Sequence, residues 1–246
     1  MTMYILGQRG VDDASLLAAT TEATGHDVEW LTDMNRNTWW ESTTTATHYV
    51  SGTWASTYGA NAAAIYHDLP INTTVRLQYE NAGWNTVGGV QTITAANTPM
   101  LLVYFGASYT STQWRLNIQN LSSVAKINIW SLGVVRIFNT KYNYGTLIGN
   151  KIFNSRIVEG YGGMRAAVNY APERKLWVLK YEAINVDEKN SWVNLIADVE
   201  GIKYPMFMLD ENSEYAFVRM IQDNLNWVEF AAGYYNIPSI RLEEEL

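Results

Sequence analysis

Thr74-Val75-Arg76-Leu77-Gln78-Tyr79 alternates apolar and polar side chains step by step, and Trp114-Arg115-Leu116-Asn117-Ile118 repeats the pattern. A period of two belongs to a strand with one face in a core and the other in water. Leu101-Leu102-Val103-Tyr104-Phe105 is a shorter run of the same kind. Lys126-Ile127-Asn128-Ile129-Trp130 and Val134-Val135-Arg136-Ile137-Phe138 follow, joined by Ser131-Leu132-Gly133, where the glycine marks a turn or bulge. Gly, Asn and Pro punctuate these runs. Such spacing predicts a mainly β chain whose residues 1–138 form an antiparallel β-sandwich of jelly-roll type.

Beyond Phe138 the pattern weakens. Lys141-Tyr142-Asn143-Tyr144-Gly145 and Glu159-Gly160-Tyr161-Gly162-Gly163 supply glycines and little periodicity, so a link is expected over about 139–163. Strand alternation returns at Lys175-Leu176-Trp177-Val178-Leu179-Lys180-Tyr181. Asn185 or Asp187 can then cap a helix from about Val186 to Glu200, with Trp192, Ile196 and Val199 on one face and Gly201 at its end. Tyr215–Ile221, Trp227–Phe230 and Ile240–Glu243 again alternate. The order strand, helix, strand, strand, strand predicts a small α+β domain over 139–246, one main helix packed on an antiparallel sheet.

Composition narrows the function. The 246 residues are 48% hydrophobic and 13% aromatic, with ten Trp and sixteen Tyr, enough to build a core and to furnish contact surfaces. The formal charge of −7 removes the phosphate neutralisation on which nucleic-acid affinity rests, so no nucleic-acid partner is expected. With no cysteine there is no disulfide, thiolate metal site or thiol nucleophile. No charged segment leads into an apolar stretch at the N-terminus and no long apolar window occurs, so neither a signal peptide nor membrane insertion is expected.

Chemistry-bearing motifs are missing. His26, His48 and His67 have no metal-ligand spacing and are expected at the surface or in caps. There is no nucleophile elbow and no phosphate loop. Asp12-Asp13 and Asp210-Glu211 are adjacent carboxylates that diverge, and only a distant pair such as Glu29 with Glu41 would suit glycoside hydrolysis. The expectation is a protein without catalytic activity, metal or cofactor, working by binding and assembly.

Leu31-Thr32-Asp33-Met34-Asn35-Arg36-Asn37-Thr38-Trp39-Trp40-Glu41-Ser42 resembles the Asp-Gly-Asn-x-x-Thr-x-Trp signature of discoidin-like, or galactose-binding-like, jelly-roll domains. The resemblance spans roughly 1–138 and departs from the pattern at Met34, where Gly is usual. It implies that Asp33 opens a tight loop, Thr38 bonds within it and Trp40 packs beneath. The part from 139 to 246 resembles the small α+β ring domains of tailed-phage tail proteins, on the order of Arg174–Tyr181, the helix and Tyr204–Asp210.

Two functions follow as expectations. The first is a structural virion protein of a tailed bacteriophage, assembled in the host cytoplasm as a tail or collar component. Its partners would be other virion proteins and copies of itself in a ring. The alternative is a glycan-binding module for host-surface polysaccharide, with Trp39, Trp54, Tyr58 and Trp84 in loop-like sequence as ring-stacking candidates.

Overall fold

The computed structural model describes residues 2–95, 99–138, 147–152, 155–159, 165–169, 174–210, 212–222, 225 and 227–245. In chain order the strands are β1 (Met3–Leu6), β2 (Leu16–Ala19), β3 (Trp40–Glu41), β4 (His48–His67), β5 (Thr74–Glu80), β6 (Trp84–Thr92), β7 (Met100–Gln119), β8 (Lys126–Gly133) and β9 (Arg136–Phe138). There follow β10 (Leu147–Ile152), β11 (Ser155–Glu159), β12 (Arg165–Asn169), β13 (Arg174–Asn185), β14 (Met206–Leu209), β15 (Tyr215–Met220), β16 (Val228–Ala231) and β17 (Tyr234–Glu244). One α-helix, α1, occupies Val186–Asp198. The chain is mainly β, with antiparallel sheets.

The chain divides into two compact units, Thr2–Ile137 with Met206–Ala216, and Phe138–Pro205 with Phe217–Leu246. They are discontinuous in sequence, unlike the single cut after 138 drawn from composition. β14 belongs with the first unit because it pairs antiparallel with β1, Tyr4 opposite Leu209 and Leu6 opposite Phe207. A composition shift registers local character and cannot register a strand that returns.

The first unit is built on a sheet in the order β3-β8-β4-β7-β5-β6, with β2 on β4. β4 and β7, twenty residues each, pair along their length with register shifts between Thr53 and Tyr58 and between Ala60 and Ala62. The first half of β4 also pairs with β2 and the second half with β8, while β5 takes only the far half of β7. The long pair thus runs through both layers of a β-sandwich, bending where bulges interrupt the ladder. Between the layers Val50, Trp54, Ile65, Val75, Leu77, Leu101, Trp114, Leu116, Ile118, Ile127 and Trp130 form one apolar cluster.

In the second unit the order is β10-β13-β17-β15, with β16 on β17, and β11 pairs with β12. Two strands, β10 and β11, therefore occupy much of the stretch expected as a link; the glycine-bearing 141–145 and 160–163 lie outside the described residues. α1 starts where Asn185 Oδ1 accepts from the Glu188 amide at 2.9 Å, the anticipated cap. Trp192 and Val199 are buried as its spacing requires, and Leu195, rather than Ile196, completes the buried face. Trp192 stacks on Phe138, ring centroids 4.1 Å apart, and leans on Tyr181 of β13.

Trp40 is fully buried, its indole N–H donating to the Thr21 carbonyl at 3.0 Å. Trp40→Ala should cost about 3 to 5 kcal/mol, read from the urea midpoint at unchanged slope. Asp12 provides a pH signature. Burial, reinforced by Asp13 and Asp33 and opposed by Arg9, pushes its carboxyl from 3.8 up to about 6. A carboxyl raised on folding favours the native state below its unfolded value and loses that contribution as pH climbs through the folded one. Stability should therefore decline between about pH 4 and pH 6 on Asp12's account, and thermal melts of Asp12→Asn should lack that component.

Candidate binding groove beside Trp39

The loop between Val28 and Trp40 sets the site. A 3-10 turn over Val28–Thr32 buries Val28 and Leu31 and delivers Asp33 to the loop. Asp33 accepts twice, from the Asn35 amide at 2.8 Å and from the Thr38 hydroxyl at 2.6 Å. Asn35 Oδ1 accepts from the Asn37 amide at 3.0 Å. Met34, which stands where the resemblance has Gly, takes φ +55°, a left-handed conformation that costs a side-chain-bearing residue more than glycine. Asn128 Nδ2 donates to the Arg36 carbonyl at 2.7 Å, fastening the loop to β8.

β3 then alternates. Trp40 points into the core, so Trp39 and Glu41 point out. One face of Trp39 stacks on His26, centroids 4.7 Å apart and planes 23° from parallel. Its indole N–H donates to Glu41 Oε2 at 2.9 Å. The same oxygen lies 3.7 Å from Lys126 Nζ and 3.9 Å from His26 Nε2, so one carboxylate holds the ring, the lysine and the imidazole. Glu41 is thereby engaged in fixing Trp39, while Glu29, the other carboxylate of the suggested pair, is exposed on the 3-10 turn.

Trp39, Arg36, Asn37, Asp68, Lys126 and Asn128 line an open groove of about 280 Å³. A second, of about 310 Å³, shares Asp68 and Lys126 as a wall and continues along Leu69, Pro70, Ser123 and Val124. Arg36 donates to the Tyr66 hydroxyl at 3.0 Å and sits over that ring, which holds the guanidinium at the groove's edge. The groove presents an indole, two cations, a carboxylate and two amides. Asp68, Lys126 and Asn128 come from distant segments; only the alternation Lys126-Ile127-Asn128, which turns both polar residues away from the core, hinted at them.

The other stacking candidates lie elsewhere. Trp54 is 5% exposed and donates to the Gly10 carbonyl at 2.8 Å, so it is a core residue. Tyr58 stacks on Trp54 at 5.4 Å and donates its hydroxyl to Leu132 at 3.2 Å, which leaves it a packing role. Loop-like sequence misplaced both because they sit in β4, where bulges break the alternation. Trp84 opens β6, half-buried, with the Arg115 guanidinium 3.9 Å over its ring. His48 and His67, expected at the surface or in caps, are buried; His48 Nε2 lies 2.9 Å from the Thr44 carbonyl and His67 Nδ1 accepts from the Leu69 amide at 3.1 Å. No cluster able to hold a metal occurs among the described residues, and no helix there is long and apolar enough to cross a membrane.

No protein-family model and no curated protein matches the chain. Solved structures do. A pectin-binding carbohydrate-binding module is 14% identical with a TM-score of 0.42, over 48% of this chain and 89% of its own. A chitosan-binding module from a chitosanase/glucanase of Paenibacillus sp. IK-5, solved with chitotriose, is 15% identical with a TM-score of 0.42, over 49% and 96%. A GH29 fucosidase of Ruminococcus gnavus, solved with fucose, is 12% identical with a TM-score of 0.45, over 53% of this chain and 27% of that one. Likeness this slight attaches no ligand and no activity to the chain. None of these three is a virion protein, and the expected ring-forming tail domain finds no support in them.

Glu41→Ala should release Trp39. The expected result is a shifted and broadened indole N–H resonance for Trp39 and a stability loss of roughly 1 to 3 kcal/mol, as for a lost hydrogen bond to a charged group. A resonance that stays sharp and in place would mean that His26 alone holds the ring.

Proposed function

We propose that this chain is a non-catalytic glycan-binding module whose groove beside Trp39 takes a neutral, hydroxyl-rich saccharide. The observation that carries the reading is Trp39 itself, a half-buried indole clamped by His26 and Glu41 along the wall of a polar groove. A pyranose needs an apolar surface for its C–H face and both donors and acceptors for its hydroxyls. Convergent polar groups around one rigid aromatic meet that need.

The charge pattern favours a neutral ligand. Arg36 and Lys126 supply positive charge, Asp68 answers within the groove, and Glu41 stands behind Lys126. The Asp68 side chain makes no ion pair or hydrogen bond among the described residues, which keeps a charged acceptor available to hydroxyl donors. Rigidity matters as much as composition, because an aromatic already fixed in place loses little entropy on binding. Tail or collar assembly, the first expectation from sequence, has no comparable observation behind it.

The test is a glycan array probed with the whole chain, followed by calorimetry on the best neutral oligosaccharide. Trp39→Ala should weaken binding at least ten-fold, about 1.4 kcal/mol or more, while circular dichroism shows the β-sheet fold retained. An array without signal, or affinity indifferent to Trp39, would remove the groove from consideration.

A further inference from the structure

The sheet face turned away from the core has its own unexplained polar set. Leu116 and Ile118 of β7 point inward, so Arg115 and Asn117 point outward; Val75 and Leu77 of β5 do the same for Arg76 and Gln78. The register then aligns them. Asn117 stands opposite Tyr49 on one side and Arg76 on the other, and Arg115 stands opposite Ser51 and Gln78. Trp84 closes the far side through β6.

Arg115 is held between two rings, its guanidinium carbon 4.3 Å over Tyr49 and 3.9 Å over Trp84. Its Nε donates to Gln78 Oε1 at 2.9 Å, Asn117 Nδ2 approaches the same oxygen at 3.4 Å, and Gln78 Nε2 donates to Thr86 at 3.2 Å. Asn117 is 5% exposed, yet its Oδ1 has no partner; Arg76 Nε, directly across, is buried and likewise unpartnered. Buried polar atoms left unpaired are costly and uncommon. Neither arginine makes an ion pair among the described residues, in a chain whose net charge is −7. Two uncompensated guanidinium groups call for an anion, and a lone acceptor beside an unpaired N–H calls for a hydroxyl, which donates and accepts at once.

We infer that this face is a second binding site, for an acidic saccharide whose carboxylate lies on Arg76 and Arg115 and whose hydroxyl meets Asn117 Oδ1. The inference rests on the glycan-binding reading in taking a saccharide as the ligand, and it uses no residue of the groove. The Tyr49-Arg115-Trp84 stack fixes the guanidinium plane, so the carboxylate meets a preset fork rather than a mobile point charge.

The test uses the full chain carrying Trp39→Ala, which silences the groove, titrated with trigalacturonate, its neutral methyl ester and sodium acetate. Side-chain resonances of Asn117 and Arg115 are followed by NMR, and affinity by calorimetry. The expected result is trigalacturonate binding equal to that of the unmutated chain, shifts at both side chains, weakening with added NaCl, and at least a ten-fold loss in Arg76→Gln and in Arg115→Gln. Arg115→Lys, which keeps the charge and the packing stem but lacks the fork, should also lose affinity and serves if Arg115→Gln does not fold. Absence of trigalacturonate binding, equal binding of the methyl ester, or the same shifts from acetate at the same concentration would each overturn the site. Neutral-glycan binding lost with Trp39 while acid binding persists separates the two sites; acid binding lost with Trp39 assigns it to the groove and overturns the inference.

Discussion

The pairing of β4 with β7 is the constraint from which the sandwich follows. It runs from His48 opposite Ile118 to Tyr66 opposite Met100, and both strands are too long to stay in one layer. The two register shifts let the ribbon bend, so the same hydrogen-bonded pair supplies the centre of both layers. Every other strand of that sheet takes its place from one half or the other: β2, β5 and through it β6 from one end, β8 and through it β3 from the other. Trp54 and Tyr58 occupy the bend, hydrogen-bonded to the Gly10 and Leu132 carbonyls. Gly10 is required there, since a Cβ would fall 2.1 Å from the Tyr58 hydroxyl oxygen.

The groove depends on this arrangement at one remove. β8 is positioned by β4, and β3 by β8 through Trp40 opposite Ile127 and Glu41 opposite Lys126. The second of those pairs brings carboxylate and ammonium together, and the carboxylate in turn fixes Trp39. The Asp33 loop adds the other restraint by holding Arg36 and Asn37 close to β8. Two short segments far apart in the chain are thus locked to one another by a few backbone pairs and one shared oxygen. A site so built owes its rigidity to strands, which suits recognition of a ligand by fixed contacts.

Much of this was legible in the sequence because period-two alternation survives wherever one face is buried. Thr74–Tyr79 and Trp114–Ile118 lie in strands, and the helix with its Asn185 cap lies where spacing placed it. The exchange of Leu195 for Ile196 reflects how broad a helix face is at 100° per residue, so that neighbours compete for burial. Bulges defeated the same reasoning in β4, where small residues and broken alternation look like loop. The groove was half legible. Trp39 could be singled out as the outward partner of Trp40, but Lys126 shows only its place in the alternation Lys126-Ile127-Asn128 and Asp68 has no local signal, since tertiary pairing alone brings them within reach of Trp39.

Alternation also explains how one small sandwich can present two surfaces of opposite character. In Trp39-Trp40-Glu41 and in Arg115-Leu116-Asn117 the middle residue is core and its neighbours lie on the opposite face of the sheet. Near β3 the outward residues bring a carboxylate to Lys126; on the β4-β7-β5 face Arg115 lies over two rings, and neither it nor Arg76 makes an ion pair among the described residues. The difference is therefore one of which residue stands opposite which. A one-residue slip of β7 against β5 would carry Arg115 and Asn117 into the core and expose Leu116 and Ile118, so the apolar cost of exposing that core enforces the register. The hydrophobic pattern that folds the sheet is what holds the polar face in place.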